Sequence, residues 1–402
     1  MINLTDILNS HERLKQVVLK TPLALAPKLS KKVDGNVYLK KENLQLTGSF
    51  KLRGAFSKIS NLTDEELKKG VIAASAGNHA QGVAFSASFY KTPSIIVMPE
   101  NTPLTKVKGA RDLGSTVILK GNNYDEAYAY AKQYSIEKDI TFVHPFSDYH
   151  VMAGQGTIAL EILQELDTID QIVVPIGGGG LICGIASYIK QVKPSIKVIG
   201  VTAVGAPAMN QSFKNKKPID TLSVRTIADG IAVRDTSPIT LDIILSSVDE
   251  IVEVEDEEIA NAILFLLENQ KLVVEGAGAV GVAALLHEKI DAIGKNTVAL
   301  LSGGNIDVTM LSVIIEKGLL KSYRKMKLSV TLIDKPGSLM HLTEIFRELS
   351  ANIVQIGYDR TSVNLSFGDA NITIAIETKG KEHQEEIKDR LKKNGFAYEV
   401  LY

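Results

Sequence analysis

The sequence has a single cysteine, no tryptophan and no apolar run as long as the roughly 18 residues of a membrane-spanning helix. One cysteine excludes an intrachain disulfide, so we expect Cys183 to be a small buried residue in a reducing compartment. The segment Met1–Asp6 lacks the basic and apolar regions of a signal peptide. Together these absences predict a cytoplasmic protein.

An excess of charge is also lacking. The 45 basic and 46 acidic residues nearly cancel, and no basic run stands out. Nucleic acids and anionic membrane surfaces are therefore not expected partners. The chain also has no Gly-x-x-x-x-Gly-Lys-Ser/Thr loop and no Gly-x-Gly-x-x-Gly in an opening βαβ unit, which argues against nucleoside triphosphates and a nicotinamide cofactor.

Strand and helix patterns alternate over roughly the first 320 of the 402 residues. Short apolar runs bounded by turns, such as Val71–Ala74 and Gln171–Pro175, indicate parallel strands buried on both faces. With helices between them, these strands predict a doubly wound α/β architecture. The segment Pro207–Pro238 is polar and irregular, and we predict that it is a surface excursion.

The pattern changes after the basic stretch Lys321–Lys325, which we interpret as a linker. Residues 326–402 show the order βαββαβ, which is ferredoxin-like. The length of the chain fits two or three domains. The sequence thus predicts one domain over residues 1–320 and a second over 326–402.

Lys51 ends the stretch Thr47-Gly48-Ser49-Phe50-Lys51, which lies between a predicted strand and a predicted helix. The positive potential of a helix start lowers the pKa of a lysine. A lysine with a lowered pKa is a nucleophile that can form a Schiff base. The alternative is a surface lysine at a helix N-terminus, and this stretch alone does not decide between them.

Three further segments follow predicted strands: Ser75-Ala76-Gly77-Asn78-His79, Gly177-Gly178-Gly179-Gly180-Leu181 and Ser302-Gly303-Gly304-Asn305. Residues without a Cβ let backbone N–H groups converge on an anion, and a helix N-terminus favours its charge. The alternatives are a helix cap for the first segment and a packing turn for the second.

These four segments, in this order, resemble those of the fold-type II pyridoxal-phosphate enzymes, specifically the threonine ammonia-lyases (threonine dehydratases) and serine dehydratases. In that family two αβα subdomains enclose the cofactor pyridoxal 5'-phosphate in a cleft. The resemblance implies that the smaller subdomain spans about residues 44–148. With the turn Asp334-Lys335-Pro336-Gly337, the C-terminal domain resembles a single ACT regulatory domain, where the long biosynthetic threonine deaminases carry two.

The resemblance also implies a role for each candidate residue. Lys51 would carry the cofactor and act as general base, and Glu275 is a further possible site residue at a helix start. His79 has a structural role as its alternative. The remaining implied roles are Phe50 beside the cofactor ring, Asn78 at its hydroxyl, Ser302 at its nitrogen, Gly177, Gly178, Gly179, Gly180 and Leu181 at its phosphate, and Ser75, Ala76, Gly77 and His79 at the substrate.

The implied reaction is elimination of water from L-threonine, giving 2-oxobutanoate and ammonia, with L-serine giving pyruvate. Serine racemases usually carry a second serine where this chain has Ala76, so racemisation should be poor. They also have a carboxylate metal site where this chain has Thr202–Met209, so no metal is expected. The rivals are a serine-preferring dehydratase or racemase and a non-catalytic amino-acid sensor.

For the ACT domain, the resemblance implies regulation by a small-molecule effector, as in isoleucine biosynthesis. Gly337, which opens a helix, and Asn352, before a strand, are the candidate effector residues, and the alternative is that both are turn residues. Side-by-side pairing of such domains implies a homo-oligomer, a dimer or a homotetramer. The sequence does not say whether the role is biosynthetic or catabolic.

Overall fold

The computed structural model describes residues 2–401, so Met1 and Tyr402, the outermost residues of the two predicted domains, lie outside the described residues. The chain divides into two compact units, Met1–Ile306 and Asp307–Tyr402. Each has its own hydrophobic core.

The first unit alternates strands and helices along the chain. Its strands are β1 (Leu23–Leu25), β2 (Asn36–Lys40), β3 (Val71–Ala74), β4 (Ser94–Met98), β5 (Thr116–Leu119), β6 (Thr141–Phe142), β7 (Gln171–Pro175), β8 (Lys197–Ala203), β9 (Glu250–Val254) and β10 (Asn296–Leu300). Its helices are α1 (Leu4–Leu14), α2 (Pro27–Val33), α3 (Lys51–Ile59), α4 (Asp64–Lys69), α5 (Asn78–Phe89), α6 (Leu104–Asp112), α7 (Tyr124–Lys138), α8 (Tyr149–Glu165), α9 (Gly180–Val192), α10 (Ala208–Asn215), α11 (Pro238–Ser247), α12 (Asp256–Gln270) and α13 (Gly276–Leu286).

Two sheets organise these strands. One has six strands in the order β1-β2-β10-β7-β8-β9, parallel except for β1, and the other has four parallel strands in the order β5-β4-β3-β6. Every residue of β3 and β7 is buried. Helices must cover both faces of such strands, because a strand that is apolar on both sides cannot face water. The predicted α/β class is therefore confirmed.

Helix α8 is the central helix of this unit, since most of its residues are buried. It packs against α3 and α9. Two glycines allow the close approach to α9: a Cβ at Gly184 would lie 2.1 Å from the Met152 oxygen, and one at Gly156 would lie 2.9 Å from the Gly184 oxygen. This packing fixes α3, and with it Lys51, relative to the six-stranded sheet.

The prediction that Pro207–Pro238 is an irregular surface excursion holds for residues 216–227, none of which lies in a helix or strand or is buried, and is wrong for the rest of the segment. The segment contains α10 and a 3-10 turn at Asp229–Ile231, and Ala228 is fully buried. Polar side chains are buried here because they bond to one another: the Ser212 hydroxyl donates to Thr236 Oγ1 at 3.0 Å, and both residues are buried. Hydroxyls paired in this way can be buried at little cost.

The second unit begins with α14 (Val308–Lys321) and continues as a four-stranded antiparallel sheet with two helices. The remaining elements are β11 (Lys325–Ile333), α15 (Ser338–Glu348), β12 (Asn352–Asp359), β13 (Asp369–Glu377), α16 (Lys381–Lys393) and β14 (Ala397–Leu401). The sheet order β12-β13-β11-β14 with this connectivity is the ferredoxin-like fold, as predicted.

The division between the units lies upstream of the stretch interpreted as a linker. Helix α14 groups with the second unit, where Glu316 pairs with Lys325 at the start of β11. Residues 322–324 connect this helix to β11. Across residues 2–401, no helix is both long enough and apolar enough to cross a bilayer.

Candidate active site

The predicted site segments all follow parallel strands. Ser75 comes directly after β3, Gly177 follows β7 by one residue, and Ser302 follows β10 by one residue. In α/β sheets such carboxyl ends are where ligands bind. Here they surround one cavity of about 890 Å³. Its walls contain all the predicted cofactor and substrate residues of the first unit: Phe50, Lys51, Ser75, Ala76, Gly77, Asn78, His79, Gly177, Gly178, Gly179, Gly180, Leu181, Glu275 and Ser302.

Lys51 is the first residue of α3, and its side chain enters the cavity. Its Nζ donates to the Pro145 oxygen at 2.9 Å and lies 5.3 Å from the centre of the Phe50 ring. Burial lowers the pKa of Lys51 to about 8, and Glu275 opposes this shift. A lysine with such a pKa supplies a neutral amine far more readily than a surface lysine.

Both polar atoms of the Asn78 side-chain amide form hydrogen bonds. Its Nδ2 donates to Glu275 Oε1 at 2.8 Å, and its Oδ1 accepts from Asn305 Nδ2 at 2.7 Å. A side-chain amide nitrogen has two N–H bonds, so one remains available to a ligand after Glu275 has accepted the other. Burial raises the pKa of Glu275, although Asn78 counteracts the shift.

Ser302 is 2% exposed at the cavity wall. Its backbone oxygen accepts from the Phe50 N–H at 3.0 Å, and Ser49 forms a β-bridge with Gly303. Asn305 adds a bond to the Thr47 oxygen at 2.8 Å. These contacts join the loop after β10 to the loop that carries Lys51, although the two are about 250 residues apart in the chain.

The glycine run turns the chain from β7 into α9. Gly179 has φ +91°, a conformation that favours glycine. A Cβ at Gly178 would lie 2.4 Å from the Phe146 ring, so only glycine permits this approach. The first N–H groups of α9 have no acceptor within the helix, which makes them donors for an anion.

The loop Ser75–Gly77 precedes α5 in the same way. The Gly77 N–H donates to Ser75 Oγ at 3.1 Å, and a Cβ at Gly77 would meet nothing within 4 Å. His79 is 3% exposed, and its Nε2 lies 2.8 Å from the Val143 oxygen. Because a carbonyl only accepts, Nε2 carries the proton, and Nδ1 is a buried atom without a partner among the described residues. Burial lowers the pKa of His79 to about 3, so the ring is neutral.

The sequence did not predict the contribution of residues 229–238, which also line the cavity. Arg234 pairs with Asp125 of α7 at 2.8 Å, and the Ser237 and Ser147 hydroxyls lie 2.7 Å apart. No strand precedes this segment, so the strand–loop–helix pattern that found the other segments could not find it. Asn305 belongs to the predicted segment Ser302–Asn305, but its two partners, Thr47 and Asn78, lie more than 200 residues away and cannot be inferred from the sequence.

The two candidate effector residues lie in the second unit. Gly337 has φ +91° and precedes α15, and Asn352 opens β12 with its Nδ2 donating to Glu377 Oε2 at 2.9 Å. A cavity of about 320 Å³ in this unit is lined by other residues, among them His341 and Arg390.

The cavity of the first unit fits pyridoxal phosphate. It offers an amine with a lowered pKa, an anion cradle that side chains would fill, an amide with a spare N–H and a buried hydroxyl. These are the groups that an aldehyde, a phosphate, a phenolic oxygen and a pyridine nitrogen require. Within residues 2–401, His, Cys, Asp and Glu side chains form no cluster of three that could hold a metal ion. Fold and site define a fold-type II pyridoxal-phosphate enzyme.

Comparison with known proteins supports this assignment. Residues 14–303 match the family "Pyridoxal-phosphate dependent enzyme", and the chain belongs to this family. The L-threonine ammonia-lyase of Thermotoga maritima is 48% identical over 401 residues, covering 100% of both chains. The L-threonine dehydratase catabolic TdcB of Staphylococcus aureus strain N315 is 46% identical over 323 residues, covering 79% of this chain and 93% of that one.

A solved structure shares the fold. Threonine deaminase isoform 2 from Solanum lycopersicum, in its processed form, superimposes with a TM-score of 0.75 at 40% identity. The match covers 79% of this chain and 87% of that one. The predicted family and cofactor class are thereby confirmed.

Proposed function

We propose that this chain converts L-threonine to 2-oxobutanoate and ammonia, and L-serine to pyruvate, by elimination of water. The observation that carries this proposal is the position of the Lys51 amine, in one cavity with the glycine loop, Asn78 and Ser302. The full-length relative from Thermotoga maritima bears the name L-threonine ammonia-lyase and supports the same assignment. A non-catalytic sensor would not need a lysine with a lowered pKa in this place.

Lys51 would have two tasks in this reaction: its amine would hold the cofactor, and as a free amine it would remove the Cα proton of the substrate. Pyridoxal phosphate, when bound, withdraws electrons from Cα and so acidifies that proton. Burial serves the second task because a pKa of about 8 leaves far more of the amine in the neutral, basic form near physiological pH than an ordinary lysine has. The β-hydroxyl and the proton taken from Cα would be lost together as water, and the released enamine would tautomerise to an imine that water hydrolyses to the 2-oxo acid and ammonia.

The other groups hold the reactants. The N–H groups of Gly177, Gly178, Gly179, Gly180 and Leu181 would bind the phosphate at the start of α9. Asn78 would donate its spare N–H to the ring hydroxyl oxygen, and Ser302 would face the ring nitrogen. A serine does not hold that nitrogen protonated as an aspartate would, which favours prompt loss of a β-leaving group. Phe50 would flank the ring.

Ser75, Ala76 and Gly77, at the start of α5, would bind the substrate carboxylate through backbone N–H groups and the Ser75 hydroxyl. The neutral His79 supports this loop through its bond to Val143. Ala76 cannot deliver a proton to the opposite face of Cα, so elimination is favoured over racemisation. Glu275 orients Asn78 and is a site residue in this sense.

The test is release of ammonia and 2-oxo acid from L-threonine and L-serine by the purified holoenzyme. Lys51→Ala should abolish turnover, because loss of a general base alone costs about 10²–10⁴-fold. Borohydride should fix the cofactor on the peptide that contains Lys51 in the unaltered protein. Label on another lysine, or no 2-oxo acid from either substrate, would refute the assignment.

We infer further that the second unit is an ACT regulatory domain of a cytoplasmic homodimer or homotetramer. The ferredoxin-like fold and the turn before α15 support this. The Gly337 turn, at the start of an 11-residue helix, and Asn352 would bind the carboxylate and amino groups of an amino-acid effector. Such a ligand changes activity only if it prefers one conformation of the assembly.

A further inference from the structure

Residues 143–147, in the connection between β6 and α8, contact several parts of the site, and the sequence did not predict them to belong to it. The Val143 oxygen accepts from the His79 ring at 2.8 Å, and the Pro145 oxygen accepts from Lys51 Nζ at 2.9 Å. The Ser147 hydroxyl lies 2.7 Å from that of Ser237. We call residues 143–147 the connecting segment.

Phe146 links the connecting segment to the glycine loop. Cβ atoms built on Gly178 and Gly180 would lie 2.4 and 2.7 Å from atoms of this one residue. A single turn of chain therefore fixes the position of the lysine amine relative to the anion cradle. Any group that sets the shape of this turn also sets that relationship.

The His144 side chain sets the shape of the turn. Its Nδ1 lies 3.2 Å from the Phe146 nitrogen and 2.8 Å from the Ser147 nitrogen, and both backbone N–H groups donate to it. Two N–H donors require an unprotonated acceptor, so the proton of the ring lies on Nε2. The pattern is that of an Asx turn, in which a side chain accepts from N–H groups further along its own chain.

The surroundings keep the ring neutral. Burial lowers the pKa of His144 to about 4, with Lys51 and Lys132 acting in the same direction and Asp148 opposing them. The ring also meets Phe146 edge-on, with 4.6 Å between centroids. A protonated Nδ1 could not accept either N–H bond, so the neutral ring is the form that holds the turn.

We propose that His144 is a positioning residue for Lys51: as a neutral hydrogen-bond acceptor it holds the Pro145 carbonyl against the lysine amine and Phe146 against the glycine loop. The amine is thereby oriented before the cofactor arrives and again when it takes the Cα proton. The inference rests on the proposed function only because that function makes Lys51 the general base. Its first test is made without substrate, so the two can fail separately.

The experiment tests separately the two features of His144, its hydrogen-bond acceptor and its aromatic ring. His144→Phe keeps the aromatic contacts and removes the acceptor, whereas His144→Asn removes the ring and keeps an acceptor atom bonded to Cγ, as Nδ1 is. The first measurement is the rate at which each apoprotein attaches added pyridoxal phosphate to Lys51, followed by visible absorption. The second is kcat and KM for L-threonine, and thermal melting of each protein controls for stability.

We expect His144→Phe to slow attachment and to lower kcat by about 10- to 100-fold, the loss typical of a displaced catalytic group, with little change in KM. His144→Asn should restore both to within about threefold of the unaltered protein. His150→Phe, which alters an exposed histidine six residues further along, should change neither. If the Phe variant does not fold, His144→Gln, which moves the acceptor by one methylene, takes its place.

The proposal fails if the Phe and Asn variants attach the cofactor at the same rate. It also fails if losses follow melting temperature rather than the presence of the acceptor. If attachment responds as expected but no 2-oxo acid forms from L-threonine in any variant, the positioning role stands and the proposed reaction fails.

Discussion

Asn305 Nδ2 lies 2.7 Å from Asn78 Oδ1, and this bond joins the loop after β10 to the first residue of α5, 227 positions away in the chain. It determines which way the Asn78 amide faces. With Oδ1 engaged by Asn305, the Nδ2 group faces Glu275, where it donates at 2.8 Å. A rotated amide would present its oxygen to the carboxylate, so Asn305 and Glu275 together exclude that orientation.

Asn305→Leu should therefore weaken cofactor binding. The Asn78 amide would lose the donor that fixes its orientation, and a lost hydrogen bond of about 1 kcal/mol corresponds to roughly fivefold in affinity. Equilibrium dialysis of pyridoxal phosphate against the two proteins measures the change. Asn215→Leu, at an exposed asparagine on α10, is the matched control. Equal affinities for the Asn305 variant and the unaltered protein would contradict this reading.

Lys51 should react with amine reagents at lower pH than other lysines. Its pKa is lowered to about 8 by burial, so in the apoprotein the extent of labelling should rise with a midpoint near pH 8. Lys69 is the internal control, because its bond to Asp139 raises its pKa. Peptide mass spectrometry after brief labelling gives both curves from one sample.

The lowered pKa of Lys51 also makes the free energy of unfolding depend on pH. Between about pH 8 and the usual lysine pKa of about 10.4, the unfolded chain binds the proton that folded Lys51 has lost. The contribution of this lysine to stability therefore becomes more favourable as pH rises through that window.

In the labelling experiment, a Lys51 midpoint equal to that of Lys69 would show that the Lys51 amine is not desolvated.

Two buried cations and two buried carboxylates form a cluster of ion pairs near the start of α3. Arg53, two residues after Lys51, forms paired bonds with both Glu42 and Glu161, at 2.6–2.9 Å, and Lys40 adds a bond to Glu161 at 2.7 Å. Arg53 and Lys40 are 0% exposed. With Thr157 as a further acceptor, all five guanidinium N–H groups are engaged. Such a cluster holds α3 against α8.

Glu161→Gln should destabilise the first unit by about 3–5 kcal/mol, because it leaves a buried positive charge without its partner. Calorimetric melting of the apoprotein measures the loss. Asp139→Asn, which breaks the exposed pair with Lys69, should have little effect, since solvent screens such pairs. Similar shifts in the two variants would mean that the cluster does not anchor the helix.

Removal of the second unit should leave the chemistry intact and abolish regulation. The match to the Staphylococcus aureus dehydratase covers 93% of that protein but only 79% of this chain, which supports a catalytic part of that length. Chains ending at Arg324 and at Ile306 should be compared with the full chain in L-threonine saturation curves, with isoleucine, valine or adenine nucleotides added singly.

Full-length protein should respond to one of these compounds by a several-fold to hundredfold change in substrate affinity, corresponding to coupling of about 1–3 kcal/mol. The shortened chains should not respond. If no form responds to any compound and all share one saturation curve and one oligomer size, the regulatory reading is wrong. Loss of turnover only in the chain ending at Ile306 would show that α14 supports catalysis.

Local sequence predicted elements whose signal lies within a few residues. The strands Val71–Ala74 and Gln171–Pro175 are found at their predicted bounds, because an unbroken apolar run between turns leaves few alternatives. The predicted order βαββαβ of residues 326–402 is likewise found. Short segments with weaker patterns, such as β1 and β9, were missed because their signal comes from the strands beside them.

Some residues of the candidate site could likewise be predicted from local sequence, and others could not. Sequence identified Lys51, Asn78, the glycine run and Ser302, because turns rich in small residues between strands and helices mark places where backbone N–H groups meet ligands. Only the tertiary structure showed the connecting segment, where His144 is a histidine in a short loop with no motif around it. Its role depends on where Lys51 and Gly178 lie in space.

The sequence by itself determined the strands, the helices that follow them and the residue types available to hold a phosphate and an aldehyde. The tertiary structure alone decided which way each of these groups faces. Asn78 is oriented by Asn305 and Glu275, and Lys51 by Pro145, across 94 to 227 positions of chain. Hydrogen bonds are short and directional, so such pairings exist only once packing has brought distant segments within about 3 Å.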